Sequence, residues 1–359
     1  NVVLSLAEPD CVGGLALHPE YQRAKDCVVG PCLAVAGHWR LFLARACAAR
    51  MAICGMNDAK EFDVITVGDV FVDLIMTGFA VWPQPGEEAF AQALTREIGG
   101  GAAITANGLA RLGERVALCA AIGDGSAWFV SRLRACGISD CLLQPVADDA
   151  LGTSVSVSTA ADLAFFTYQG ANRKLPALLT DEHLIDTLTH ARHVHFACAL
   201  APEQLLSLTQ RLHEAGTTVS LDVGWQVGWL SEARSWDVLR AIDCFFPNER
   251  EAELMTRQSL PQEMLRCFAD AGLSAVALKL GAQGAGLWWH GEIHWALPLS
   301  VTPMDTTGAG DCFDAGFLSG WLRGNSPAQC LQLANECGAY STERAGGIAS
   351  FPDWLARQR

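Results

Sequence analysis

The sequence contains no C-x-x-C pair, no phosphate loop of the form G-x-x-x-x-G-K-[ST], and no apolar run long enough to span a bilayer. The first absence argues against a zinc site or a small disulfide framework. The 14 cysteines therefore read as reduced thiols in a cytoplasmic protein. The second excludes the P-loop route to nucleotide binding, and the third predicts no membrane span. Positive charge is also scarce, with 25 Lys and Arg against 39 Asp and Glu and a formal net charge of −14. That balance disfavours nucleic acid and anionic membranes as partners. It leaves a small anionic ligand open, because a local cradle of backbone N–H groups can oppose the global sign. With 359 residues, half of them hydrophobic and 18% charged, the chain can build a sizeable core in one large α/β domain or two smaller ones.

The first 60 residues differ from the rest. Five cysteines precede Met56, and Arg40, Arg45 and Arg50 are spaced along a segment without acids. A transit peptide or an interfacial helix has this composition. The segment lacks coherent periodicity, so it reads as an upstream extension outside the catalytic fold, with Met51 or Met56 as a natural start.

From about residue 61 to 355 the pattern is regular. "FDVITVGDVFVDLIM" reads as a strand, a turn at Gly68 and a second strand, and "IGGGAAITANGLARLG" as a glycine turn opening a helix that Gly113 closes. "GTSVSVSTAADLAFFTYQGAN" alternates polar and apolar residues, as a flap-like hairpin does. "HVHFAC", "TTVSLDV", "CFFPN" and "AVALKLG" are short apolar strands between helical stretches, followed by a hairpin around Gly291 and two helices. This βαβα alternation predicts a mostly parallel sheet covered on both faces. Ligands bind such sheets at the carboxyl ends of the strands. Asp69, Asp73, Asp124, Asp222, Asn248, Glu251 and Gly281 fall there, and Asp311 follows the last hairpin.

Asp311 sits in "DTTGAGDCFDAG", where Gly308 and Gly310 permit a tight turn and the apolar spacing after it predicts a helix pointing its N-terminus into that turn. Free N–H groups there favour a phosphate, and a neighbouring carboxylate can take a proton from an attacking hydroxyl. The commonplace alternative is an N-cap with a first-turn acid. Asn248 and Glu251 have the same alternative, a helix cap. Asp73 follows a buried strand and needs a partner such as a sugar hydroxyl. His193 and His195 lie one residue apart on a strand, but nothing completes a metal site with them. Trp225, Trp229 and Trp236 suit packing better than stacking on a ligand. Asp222 is open between loop acid and site residue.

"DTTGAGDCFDAGF" resembles the C-terminal signature of the ribokinase-like (phosphofructokinase-B) carbohydrate kinases, and the resemblance spans roughly residues 64–352. "VGDVFVD", "GGGAAITANGLARLG", "YQGAN", "PNEREAE", "LKLGAQGAGLW" and "LANECGAYSTERAGG" resemble successive family segments. The resemblance implies a three-layer α/β/α sandwich with a mostly parallel central sheet and a small β-sheet lid from about 74–98 and 152–170. It implies ATP-dependent phosphorylation of a hydroxymethyl group of a sugar. Asp311 would be the base, with Gly308, Ala309 and Gly310 holding the phosphate charge. Asp73, Gly99, Gly100 and Gly101 would bind substrate. Asn248, Lys279, Gly281, Gly284, Thr307 and Asn335 would lie on the ATP side, Glu251 would serve magnesium and Asp305 potassium. The lid would support a homodimer.

One departure stands out. Where sugar-phosphorylating relatives carry Lys and Asn in a "GGKGAN" block, this chain has Gly101 and Ile104. A less polar, modified or larger substrate follows, including a nucleoside. Ile104 also replaces the third glycine of a dinucleotide fingerprint, which disfavours a Rossmann dehydrogenase. A nucleoside kinase and a non-catalytic sugar-binding protein on the same fold are the alternatives.

Overall fold

The computed structural model describes residues 60–82, 86–159 and 163–349. The expected extension before residue 60 lies outside them, as do Pro83 and Pro85 of the expected loop and the chain beyond Ala349. Thirteen strands are described: β1 (Phe62–Gly68), β2 (Phe71–Phe79), β3 (Ala93–Gly99), β4 (Val116–Asp124), β5 (Leu143–Ala150), β6 (Thr153–Thr159), β7 (Leu163–Tyr168), β8 (Ala191–Ala197), β9 (Thr218–Leu221), β10 (Cys244–Phe245), β11 (Ala275–Lys279), β12 (Ala285–Trp289) and β13 (Glu292–Ala296). The helices are α1 (Gly101–Leu112), α2 (Ala127–Ala135), α3 (Leu175–Leu178), α4 (Glu182–Leu188), α5 (Pro202–Glu214), α6 (Val227–Leu230), α7 (Ser235–Ala241), α8 (Glu249–Thr256), α9 (Pro261–Asp270), α10 (Ala309–Leu322) and α11 (Pro327–Ser341).

Nine strands form the main sheet in the order β13-β12-β11-β10-β9-β8-β1-β4-β5. Its pairs are parallel from β11 to β5, while β12 and β13 run antiparallel at one edge. Every residue of β1 is buried, because helices cover both faces. Ile65 and Val67 join the core with Phe196, Leu205 and Phe268, whereas Val64 joins the opposite core with Leu109, Phe246 and Phe317. Each such side chain contributes about 1.5–3 kcal/mol when fully buried.

The described structure thus has the expected layers. Strand β5 was not legible: Pro145, Asp148 and Asp149 speak against a strand, and it survives because it is the sheet edge, where a missing N–H is tolerated. The lid is a separate four-stranded sheet, β3-β2-β6-β7. It begins at Phe71, so Asp73 belongs to a lid strand and not to a core turn. Val72, Ile75 and Ile98 are buried beneath it, while Leu94, Phe165, Phe166 and Tyr168 are exposed.

Helix α10 is almost wholly buried. Its glycines let it press against α11: a Cβ on Gly316 would come within 2.7 Å of the Leu333 carbonyl oxygen. Close packing there fixes the helix N-terminus on the sheet edge.

Candidate active site

Glycines bring the site together. Asp73, on β2, lies over Gly99, where an added Cβ would meet its carboxyl group. At Gly101, the first residue of α1, an added Cβ would lie 2.9 Å from Asp311 Oδ1 and 3.4 Å from Ala197 Cβ. At Gly310 it would lie 3.4 Å from Lys279 Nζ. The base candidate, both ends of the expected substrate loop and the strand-end lysine therefore converge at one place.

The N-terminus of α10 is open. Its N-cap, Gly308, has φ 75, a left-handed conformation that suits glycine, and no side chain caps it. The turn is braced from behind. Asp305 Oδ1 accepts from the Thr307 N–H at 2.9 Å, and its Oδ2 accepts from the Gly346 N–H at 2.8 Å. Ile104 is 3% exposed, and its Cδ1 would lie 2.9 Å from a Cβ on either Gly308 or Gly347. Ile104 thus packs against the glycine turn, while Gly101 lies against Asp311.

Helix α8 begins the opposite way. Asn248 Oδ1 accepts from the Glu251 N–H at 3.0 Å, while Glu251 accepts from the Asn248 N–H at 2.9 Å and from Asn248 Nδ2 at 2.6 Å. The commonplace cap is therefore present, in the same place as the expected magnesium residues. Asn335 Nδ2 donates to the Ala296 and Leu297 carbonyls at 3.2 and 3.1 Å, tying α11 to the end of β13. Gly281 (φ 55) and Gly284 (φ 92) make the turn between β11 and β12. Asp124 ends β4 exposed, and Asp69 lines a polar pocket of about 240 Å³ with Gln169, Ala197 and Gln226.

Electrostatically the site is crowded with acids. Burial, and then the charge of Asp222, push Asp311 up to about 7 against the pull of Lys279. Burial and Asp222 also push Glu251 up to about 7. Asp73 rises to about 7 through burial, Asp305 and Glu97. Carboxylate oxygens of Asp222, Asp311 and Asp314 lie within 4.8 Å of one another. Asp222 thus belongs to the site, a point the sequence left open. Asp314 was missed. Its signal was there, an acid three residues past Asp311 in the otherwise apolar run "CFDAGFL".

His193 and His195 are core residues. His193 bonds Thr218 Oγ1 at 2.8 Å and Ser220 Oγ at 2.7 Å. Trp229 donates to the Leu200 carbonyl and Trp236 packs on Phe268, whereas Trp225 is exposed under Arg250.

A helix N-terminus held open for an anion, with a carboxylate in its first turn and a β-lid above, suits transfer of a phosphoryl group to a small alcohol, and the protein is such a kinase. It belongs to the pfkB family carbohydrate kinases, whose family model matches residues 62–354. Among curated proteins it is 30% identical over 276 residues to an ATP-dependent ribose-1-phosphate kinase of Halopiger xanaduensis, covering 74% of this chain and 86% of that one. Ribokinase of Haemophilus influenzae is 26% identical, with 75% and 89% covered. Among solved structures, Arabidopsis thaliana ribokinase complexed with ribose and ATP superposes with a TM-score of 0.72 at 22% identity, covering 82% and 98%. A putative ribokinase II of E. coli with ATP and Mg2+ gives 0.71 at 22%, covering 82% and 99%. At these identities the structures establish the shared fold. Among the described residues, no helix is long and apolar enough to cross a membrane.

Proposed function

We propose that the protein phosphorylates a hydroxymethyl group of a sugar or sugar derivative from ATP, with Asp311 as general base. The observation that carries this reading is Asp311 itself, in the first turn of an uncapped helix and facing the side-chain-free Gly101. The acceptor hydroxyl would give its proton to an Asp311 oxygen as its own oxygen attacks the γ-phosphorus and ADP leaves. N–H groups of Gly308 and Gly310 would meet the charge growing on the transferred phosphoryl group. Asp73, Gly99, Gly100 and Gly101 would hold the substrate under the lid. Gly281, Gly284, Asn335 and Lys279 would bound the nucleotide side.

The acid surplus suits cations. Asp222, Asp311, Asp314 and Glu251 face one lysine, and burial first, then the charge of Asp222, raises Asp311 and Glu251. Asn248 and Glu251 would hold magnesium through its waters, supplying positive charge beside the phosphates. Asp305, already drawn to the N–H groups of Thr307 and Gly346, would hold potassium with nearby carbonyls. Leu94, Phe165 and Phe166, exposed on the lid, fit a homodimer formed lid to lid.

The space left by Gly101 favours a second reading, a nucleoside kinase. A nucleoside kinase of Methanothermobacter thermautotrophicus is 27% identical to this chain, with 82% and 94% covered. A panel of sugars, sugar phosphates and nucleosides, assayed with ATP, magnesium and potassium for ADP release, tests both. Turnover of a nucleoside alone would replace the sugar reading. Failure of every member, with a sugar still raising the melting temperature, would mean a binding protein.

A further inference from the structure

Beneath Asp311, three buried charged groups form a cluster of their own. Lys279 Nζ lies 2.5 Å from Asp222 Oδ2 and 3.3 Å from Asp314 Oδ1. The side chains of Lys279, Asp222 and Asp314 are 11%, 12% and 0% exposed. Asp314 stands one turn past Asp311 on α10, so the two project from the same helix face. On its far side His195 Nε2 lies 4.0 Å from Asp314 Oδ2 without a hydrogen-bond partner. His195 Nδ1 is fixed by Ser220 Oγ at 2.8 Å. The three aspartates have the spacing of a cation site. The ammonium of Lys279 already stands among them.

We propose that Lys279 is the built-in counter-ion of Asp222 and Asp314, and that the three act together as positioning residues that fix Asp311 in place behind the glycine turn. This rests on Asp311 being the base. Buried carboxylates without such a partner would repel one another and drive Asp311 out of position or into its neutral form. Burial holds Asp314 well above the usual carboxylate range, while Asp222, despite its burial, is held low by the charge of Lys279. Lys279 Nζ reaches both acids, at 2.5 Å from Asp222 Oδ2 and 3.3 Å from Asp314 Oδ1, and burial favours a proton on Asp314. The charged and titratable groups facing Asp311 are Asp73 on β2, Asp222 after β9, Glu251 on α8, Lys279 on β11 and Asp314 and Cys312 on its own helix. Removing the lysine charge raises the affinity of Asp311 for its proton.

Two variants and one spectrum test this. Asp314→Asn keeps the shape but weakens the hold on Lys279, and its kcat should fall about threefold to tenfold. Lys279→Gln keeps a donor but no charge. Its kcat should fall about tenfold or more, with the acid limb of the pH profile moved to higher pH. At neutral pH the wild-type infrared spectrum should show a carboxylic-acid C=O band that Asp314→Asn lacks. Melting temperatures establish that both variants are folded. An inactive but folded Asp314→Asn would overturn the proposal, because Asp314 would then be needed as an ion. So would a Lys279→Gln variant with unchanged kcat and an unmoved acid limb, even if its KM for ATP rises, because Lys279 would then serve the nucleotide alone. Absence of the band would contradict the proton on Asp314. If wild type transfers phosphate to no panel member, the kinase reading fails while the spectrum still decides the charge arrangement.

Discussion

The two helix N-termini at the site differ in one respect. At α8, Asn248 and Glu251 satisfy each other's backbone N–H groups and the end is closed. At α10, Gly308 provides no side chain and the end is open. Both ends carry an acid in the first turn, and both acids are pushed to about 7. A closed end stabilises the fold without help. An open end leaves N–H groups whose best partner is a ligand. The proposed reading puts phosphate chemistry at α10 and an auxiliary role at α8.

The largest test of that contrast is Asp311→Asn. It should lower kcat by about 10³-fold in an ADP-release assay, with little change in melting temperature. In the wild type, Asp311 must be ionised to accept a proton, so kcat should fall as pH drops through about 7. Near-normal turnover in the variant would end the case for Asp311 as base.

Closing the open end comes next. Gly308→Val forces a side chain into a left-handed position, with its Cβ 2.9 Å from Ile104 Cδ1. It should cost about 10²-fold in kcat, as loss of an anion-hole donor does. Wild-type activity would mean that the turn is structural.

Opening the closed end should have a smaller effect. Asn248→Ala should cost about 1 kcal/mol of stability by denaturant melt. Glu251→Gln should in addition raise the magnesium concentration needed for half-maximal rate. If both variants change only the melt, the α8 end is a cap and nothing more.

The smallest effect lies away from both ends. His213 Nε2 lies 2.8 Å from Asp243 Oδ2, and that hydrogen bond raises the histidine above its ordinary 6.5. The pair therefore stabilises the fold fully below 6.5 and loses that contribution as pH rises through the raised value. Both side chains are about a third exposed, so His213→Gln should cost under about 1 kcal/mol, at acid pH only. An equal cost at alkaline pH would contradict this.

Much of the fold was legible because strand and helix periods differ and glycines punctuate them. The "IGGGAAITANGLARLG" helix ends at Gly113, and the 153–168 hairpin forms half the lid. Edge strand β5 was not, since its Pro145 and paired aspartates are tolerated only through a neighbour distant in sequence. At the site, "GAGD" announced an open turn. Asp314 left a fainter sign, an acid in an apolar run, and the meeting of Lys279 with it left none, because that pairing joins segments distant in sequence.

Local order determined most of the strands and helices, β5 excepted, and that Gly308 to Asp311 would open a helix, because backbone geometry and hydrophobic period act over a few residues. Only the tertiary structure decided that Ile104 packs against Gly308, and that Lys279 meets Asp222 and Asp314. Those partners come from β9, β11 and α10, and burial makes their charges matter only once the sheet has brought the strand ends together.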